Sequence, residues 1–117
     1  AVELPLILYD GNEGLLAQVW TNLLDNAVKF SPEGGVISVT AREEEKRVLV
    51  SVGDQGPGVA RENLAHIFDK FYQADTSHRA EGNGLGLALV REIAKVHGGN
   101  VSVENKEGAV FTVELAK

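Results

Sequence analysis

The chain has 117 residues, 44% of them apolar and 24% charged, and its formal charge is −6. That length fits one globular domain with its own hydrophobic core, and the acidic balance argues against a general nucleic-acid binder while leaving room for a local basic phosphate pocket. The lack of Cys excludes disulfides and thiol chemistry, and no apolar run approaches the roughly 20 residues that span a bilayer.

Residues 2–9 form a short apolar run containing Pro5, the pattern of an edge strand. No signal peptide or initiating Met precedes it, so the sequence reads as a domain excised from a longer protein. A turn at 10–14 leads into a first helix over 15–30. Leu16, Val19, Trp20, Leu23, Leu24, Ala27 and Val28 fill most of its circumference. Asn22, Asn26 and Lys29 share the remaining polar strip at i, i+4 and i+7. Two amide oxygens followed by a lysine suit a hard cation and the phosphates it bridges, since Mg²⁺ takes oxygen ligands and retains phosphate and water among them. The solvated face of an ordinary amphipathic helix has the same pattern.

Pro32, Gly34 and Gly35 stop that helix. Strands at 36–41 and 48–52 flank a charged turn and read as a hairpin. Asp54-Gln55-Gly56-Pro57-Gly58 follows at once. A carboxylate at a strand end can face a pocket and accept a hydrogen bond from an exocyclic amine such as that of adenine. A plain turn uses the same residues. A short helix is predicted over 61–68. Ile67-Phe68-Asp69-Lys70-Phe71-Tyr72 groups aromatics that serve either as core or as the anchor of a lid. Residues 72–83 are polar and form a candidate mobile segment.

Gly82-Asn83-Gly84-Leu85-Gly86-Leu87 opens a helix over 84–97. Glycines admit phosphate to the backbone, and free N–H groups at a helix start favour anions. A flexible helix entry accounts for the pattern equally well. Leu87 stands where a dinucleotide fingerprint needs Gly, and no P-loop pattern occurs. Gly98 and Gly99 cap the helix, and strands at 101–103 and 110–115 close a second hairpin around Gly108. The order predicts a two-layer α/β sandwich, with about three helices on one face of a mixed sheet. His66, His78 and His97 lack metal-ligand spacing.

Together, in this order, these segments resemble the catalytic ATP-binding domain of sensor histidine kinases, in the superfamily of gyrase, Hsp90, histidine kinases and MutL with the Bergerat fold. The likeness covers nearly the whole chain, 1–117, as a single domain. Residues 22–30 resemble the N box, 54–58 the G1 box, 67–71 the F box and 82–87 the G2 box. The resemblance implies that Asn26 holds Mg²⁺ with Asn22 beside the metal and phosphates, both grouped with Lys29 as catalytic. It implies that Lys29 reaches a phosphate and that Phe30 lies against adenine. Asp54 would take the adenine amino hydrogen in a pocket shaped by Gly56 and Gly58. Phe68 and Phe71 would anchor an ATP lid over 72–83, with Arg79 on a phosphate. Gly82, Gly84, Leu85, Gly86 and Leu87 would wrap the triphosphate.

Two departures from the family pattern stand out. Ala109 follows Gly108 where relatives often carry Ser or Thr, which puts a hydroxyl contact in doubt. No His-Glu-Leu-Arg-like phosphoacceptor motif occurs, so the acceptor histidine is expected on a separate dimerisation domain absent from this chain. The implied reaction passes the γ-phosphoryl of Mg-ATP to that histidine for relay to a response regulator. An ATPase of the superfamily would place Glu where Asn22 stands, and an amide is no general base. A serine kinase of the superfamily and a degenerate, non-catalytic interaction module compete with the sensor-kinase reading. The expected partners include no nucleic acid and no direct membrane contact. The fragment is expected to be a monomeric cytoplasmic domain, its parent a membrane sensor.

Overall fold

The computed structural model describes residues 9, 11–30, 32, 34–64, 66–69, 86–106 and 108–117. The edge strand predicted over 2–9 falls outside them, except for Tyr9. Helix α1 runs over Glu13–Phe30, two residues ahead of its predicted start. Asn12 is the reason. Its side-chain Oδ1 accepts from the Leu15 amide at 2.9 Å and its carbonyl from the Leu16 amide at 2.9 Å. That N-cap starts the helix in spite of Gly14, and Glu13 adds an acidic group to the first turn.

Strands β1 (Ser38–Glu43) and β2 (Arg47–Gly53) form the first hairpin. Residues 61–68 do not make the predicted helix. A single 3₁₀ turn forms at Arg61–Asn63, and a separate turn closes from the Asp69 amide to the His66 carbonyl at 2.9 Å. A run this short gains too few backbone bonds to offset nucleation, so it breaks into turns that half-bury Leu64, Ile67 and Phe68.

Helix α2 (Gly86–Val96) ends in a left-handed cap. Gly98 has φ +73°, and its amide bonds the Lys95 carbonyl while that of Gly99 bonds Ala94, both within 2.9 Å. Strands β3 (Asn100–Asn105) and β4 (Ala109–Ala116) follow. The four strands lie in the order β1-β2-β4-β3, all antiparallel. The two-layer α/β architecture expected from the sequence is observed. Among the described residues it comprises an antiparallel sheet, two α-helices and one 3₁₀ turn, where a mixed sheet and about three helices were expected.

One sheet face packs on the helices. In β4 burial alternates strictly, with Ala109, Phe111, Val113 and Leu115 inward. They meet Val19, Leu23 and Ala27 of α1 and Val90, Ile93 and Ala94 of α2 in one core. Burying that α1 stripe turns its polar strip toward the rim of the sandwich.

Candidate functional site

The strip that carries Asn22, Asn26 and Lys29 is half-buried, whereas Asp25, one residue from Asn26, is exposed. Asn22 points toward the second helix: its Nδ2 donates to the Gly86 carbonyl at 3.4 Å. Gly86 is the first residue of α2, so the start of that helix lies beside the α1 strip. Leu87 turns the other way and packs against the core. At the far end of α1 the Lys29 ammonium sits 5.8 Å from the centre of the Phe30 ring.

Asp54 leaves β2 directly after Gly53 and is the buried charged residue of the described chain, 7% exposed. Its Oδ1 accepts from the Gly56 amide at 2.8 Å and from the Ala109 amide at 3.4 Å. Its own amide donates to the Ala109 carbonyl at 3.1 Å. Among the described residues Asp54 Oδ2 accepts no hydrogen bond, which leaves it as an acceptor for a ligand donor. The hydroxyl doubted at position 109 is not what holds Asp54; the backbone of Ala109 does.

Two glycines set the shape of this corner. A Cβ on Gly56 would lie 2.2 Å from the Phe30 carbonyl oxygen, so the Asp54 loop runs against the end of α1. A Cβ on Gly108, at φ +148°, would lie 2.1 Å from the Asp54 carbonyl oxygen. The structure therefore brings three of the sequence segments together: α1 with Asn22, Asn26, Lys29 and Phe30, the loop with Asp54, Gly56 and Gly58, and the start of α2 at Gly86.

Phe68 belongs to the core beneath the sheet. It packs edge-on against Phe111 of the core, ring centres 6.0 Å apart at 86°. Phe71, Arg79, Gly82, Gly84, Leu85 and the whole predicted lid over 72–83 lie outside the described residues. Two residues that sequence patterns did not single out also shape the loop. Gln55 Oε1 accepts from the Val36 amide at 3.0 Å and ties the loop to the chain that follows α1. Asn105 bonds both backbone groups of Val59. Neither has a local signature, because each contact joins residues far apart in sequence.

The donor set suits a hard cation completed by phosphate. Asn22 and Asn26 supply neutral amide oxygens, and among the described residues no group of three or more His, Cys, Asp or Glu could hold a metal by itself. Of the histidines, His97 has both ring nitrogens engaged: Nδ1 donates to the Ile93 carbonyl at 2.8 Å and Nε2 accepts from the Asn12 amide at 3.0 Å. His66 Nδ1 pairs with Asp69 at 3.1 Å, and His78 lies outside the described residues.

The family model described as "Histidine kinase-, DNA gyrase B-, and HSP90-like ATPase" matches residues 11–117. The heme sensor protein HssS of Staphylococcus saprophyticus is 36% identical over 117 residues, covering 98% of this chain and 25% of that protein. The adaptive-response sensory kinase SasA of Thermosynechococcus vestitus is 41% identical over 108 residues, 92% of this chain and 28% of that protein. Among solved structures, the mycobacterial sensor histidine kinase MprB superposes with a TM-score of 0.84 at 29% identity, over 92% of this chain and 75% of that one. The nucleotide-free catalytic domain of histidine kinase ThkA superposes with a TM-score of 0.81 at 34% identity, over 92% of this chain and 70% of that one. The chain spans only about a quarter of the length of HssS and SasA.

Proposed function

We propose that this chain, which belongs to the histidine kinase-, DNA gyrase B- and HSP90-like ATPase family and within it to the catalytic ATP-binding domains of sensor histidine kinases, binds Mg-ATP and delivers its γ-phosphoryl group to a histidine. That histidine lies on a separate dimerisation domain of the parent kinase, and the phosphoryl group then passes to a response regulator. The buried Asp54 carboxylate carries the reading. One oxygen is fixed by two amides, and the other, which accepts no hydrogen bond among the described residues, would accept the amino hydrogen of adenine.

The remaining roles are those the family resemblance implies. Phe30 closes the pocket beside the base, and Gly56 and Gly58 let the backbone approach it. Lys29 reaches phosphate, and Asn26 holds Mg²⁺ with Asn22 at its side. The ion, when bound, bridges phosphate oxygens and neutralises their charge. Phe68, together with Phe71, anchors the segment over 72–83. Arg79 would contact a phosphate, and Gly82, Gly84, Leu85 and Gly86 would line the triphosphate, whereas Leu87 packs into the core. The chain's part in catalysis is positioning and electrostatics, since the attacking nitrogen comes from outside it.

Transfer is favoured over hydrolysis by one residue. Asn22 stands four residues before Asn26, where a hydrolase needs a carboxylate to take a proton from water. The parent is expected to be a membrane sensor with this domain in the cytoplasm, and the isolated chain a monomer. No helix among the described residues is long and apolar enough to cross a membrane.

The test supplies γ-labelled ATP and a histidine-bearing dimerisation domain from a sensor kinase of the family. Label on that histidine, with little free phosphate and loss of both in Asn26→Ala, is the expected result. Rapid phosphate release without label transfer would establish the hydrolase instead.

A further inference from the structure

The β3–β4 hairpin ends on the register pair Asn105 and Ala109. Both members grip the loop that follows β2. Ala109 holds the start of the loop through its backbone, bonded to the amide and to Oδ1 of Asp54. Asn105 holds the end through its side chain. Its Oδ1 accepts from the Val59 amide at 2.8 Å, and its Nδ2 donates to the Val59 carbonyl at 2.7 Å. One carboxamide thus satisfies both backbone groups of one residue, as a neighbouring strand would, at a point where the chain has left the sheet.

The chemistry of the bond pair is restrictive. A carboxamide carries a donor and an acceptor on one planar fork, whereas Asp has no donor at neutral pH and Ser has a single oxygen for both contacts. Gly58 provides the room. Its φ is +79°, and a Cβ there would lie 2.7 Å from Asn105 Oδ1. The amide therefore rests on bare backbone between Asp54 and Val59.

We infer that Asn105 is a positioning residue for the base pocket: it fixes the Gly56–Val59 wall relative to the Asp54 carboxylate without touching the nucleotide. The inference rests on the Mg-ATP reading above. It makes the hairpin closing pair a bracket, with Ala109 setting the acceptor for the base and Asn105 setting the wall beside it. Such a residue acts on the base end of the ligand and not on the phosphates. Asn105 variants therefore weaken adenosine and ATP by the same factor, whereas a Lys29 variant weakens ATP alone.

The experiment is an NMR titration of the native chain, Asn105→Ala, Asn105→Asp and Lys29→Ala with adenosine and with a Mg²⁺-bound non-hydrolysable ATP analogue. Asn105→Ala is expected to weaken both ligands about tenfold, the scale of one to two net hydrogen bonds. Asn105→Asp, which keeps the acceptor and loses the donor, is expected to weaken both as well and serves if the Ala variant fails to fold. The Val59 amide should exchange faster with solvent in Asn105→Ala, which removes its acceptor, and not in Asn105→Asp, which keeps it. Unchanged affinity in a folded Asn105 variant, or a loss confined to the ATP analogue, overturns the inference and leaves the Mg-ATP reading standing. Failure of the native chain to bind either ligand overturns that reading and the inference with it.

Discussion

A single carboxylate explains much of the site, because Asp54 is buried and yet has one oxygen committed and one available. Its position depends on neighbours that have no side chain. Gly108 lets the second hairpin touch the Asp54 carbonyl, and a methyl group there would sit 2.1 Å from that oxygen. Gly108→Ala should therefore push the loop away from Ala109. Chemical denaturation is expected to show a loss of about 1–3 kcal/mol, and titration a loss of adenine-nucleotide binding. Retained affinity would mean that the Asp54 loop is not fixed by the hairpin. The local pattern of Asp54, Gly56 and Gly58 fits a plain turn as well as a base pocket, and the family resemblance alone gives these residues a site role. Asn105 and Gln55 were not legible in the sequence. Their partners lie 46 and 19 residues away, and no local pattern encodes a bond between a side chain and distant backbone.

Elements were legible wherever burial imposes a period. The α1 stripe and the alternation of β4 follow from spacing, and Val19, Leu23 and Ala27 meet Phe111, Val113 and Leu115 in the core, whereas Leu24 and Val28 of the same helix are exposed. Boundaries were less legible because side chains outside the periodic run set them. Asn12 moves the start of α1 forward by capping it, and its own amide is taken by His97 at the end of α2. Asn12→Ala should cost about 1 kcal/mol in denaturant unfolding, the usual value of an N-cap. No loss would show that the cap is replaced by solvent. The predicted helix over 61–68 failed for a different reason: its apolar residues are too few to support a helix through packing, so turns suffice to bury them.

The first hairpin carries a pH signature of its own. Arg47 bonds Glu44 at 2.6 Å and Glu114 at 3.0 Å, joining the turn to β4. The hydrogen bond from Arg47 lowers the Glu44 carboxyl below its ordinary value, while the carboxylates raise Arg47. A depressed acid adds stability above its unfolded range and loses it as the pH falls through the lowered folded value. The native chain should therefore lose a small increment of stability on acidification that Glu44→Gln does not lose. Parallel acid profiles for the two proteins would show that the pair contributes nothing, as exposed ion pairs often do.

For the molecule as a whole, the two-layer sandwich matters because it delivers three sequence segments to one edge. Helix α1 is held by the core so that Asn22, Asn26 and Lys29 face outward, while the end of β2 and the start of α2 arrive beside them. The apolar cleft of about 200 Å³ between Trp20, Leu24, Val39, Val50 and Val52 has no polar side chain to orient a nucleotide, and it lies under α1 rather than at that edge. The α/β architecture and the two hairpins were readable from the element order, whereas the antiparallel pairing of one hairpin with the other through β2 and β4 required the register itself. The central claim is that this edge takes Mg-ATP with Asp54 reading the base. Calorimetric titration with a non-hydrolysable ATP analogue, with and without Mg²⁺, on the native chain and on Asp54→Asn tests it most directly. The account predicts saturable, Mg²⁺-dependent binding by the native chain that is weakened at least about tenfold in the variant. Absence of binding by the native chain at millimolar ligand, or equal binding by both proteins, would contradict it.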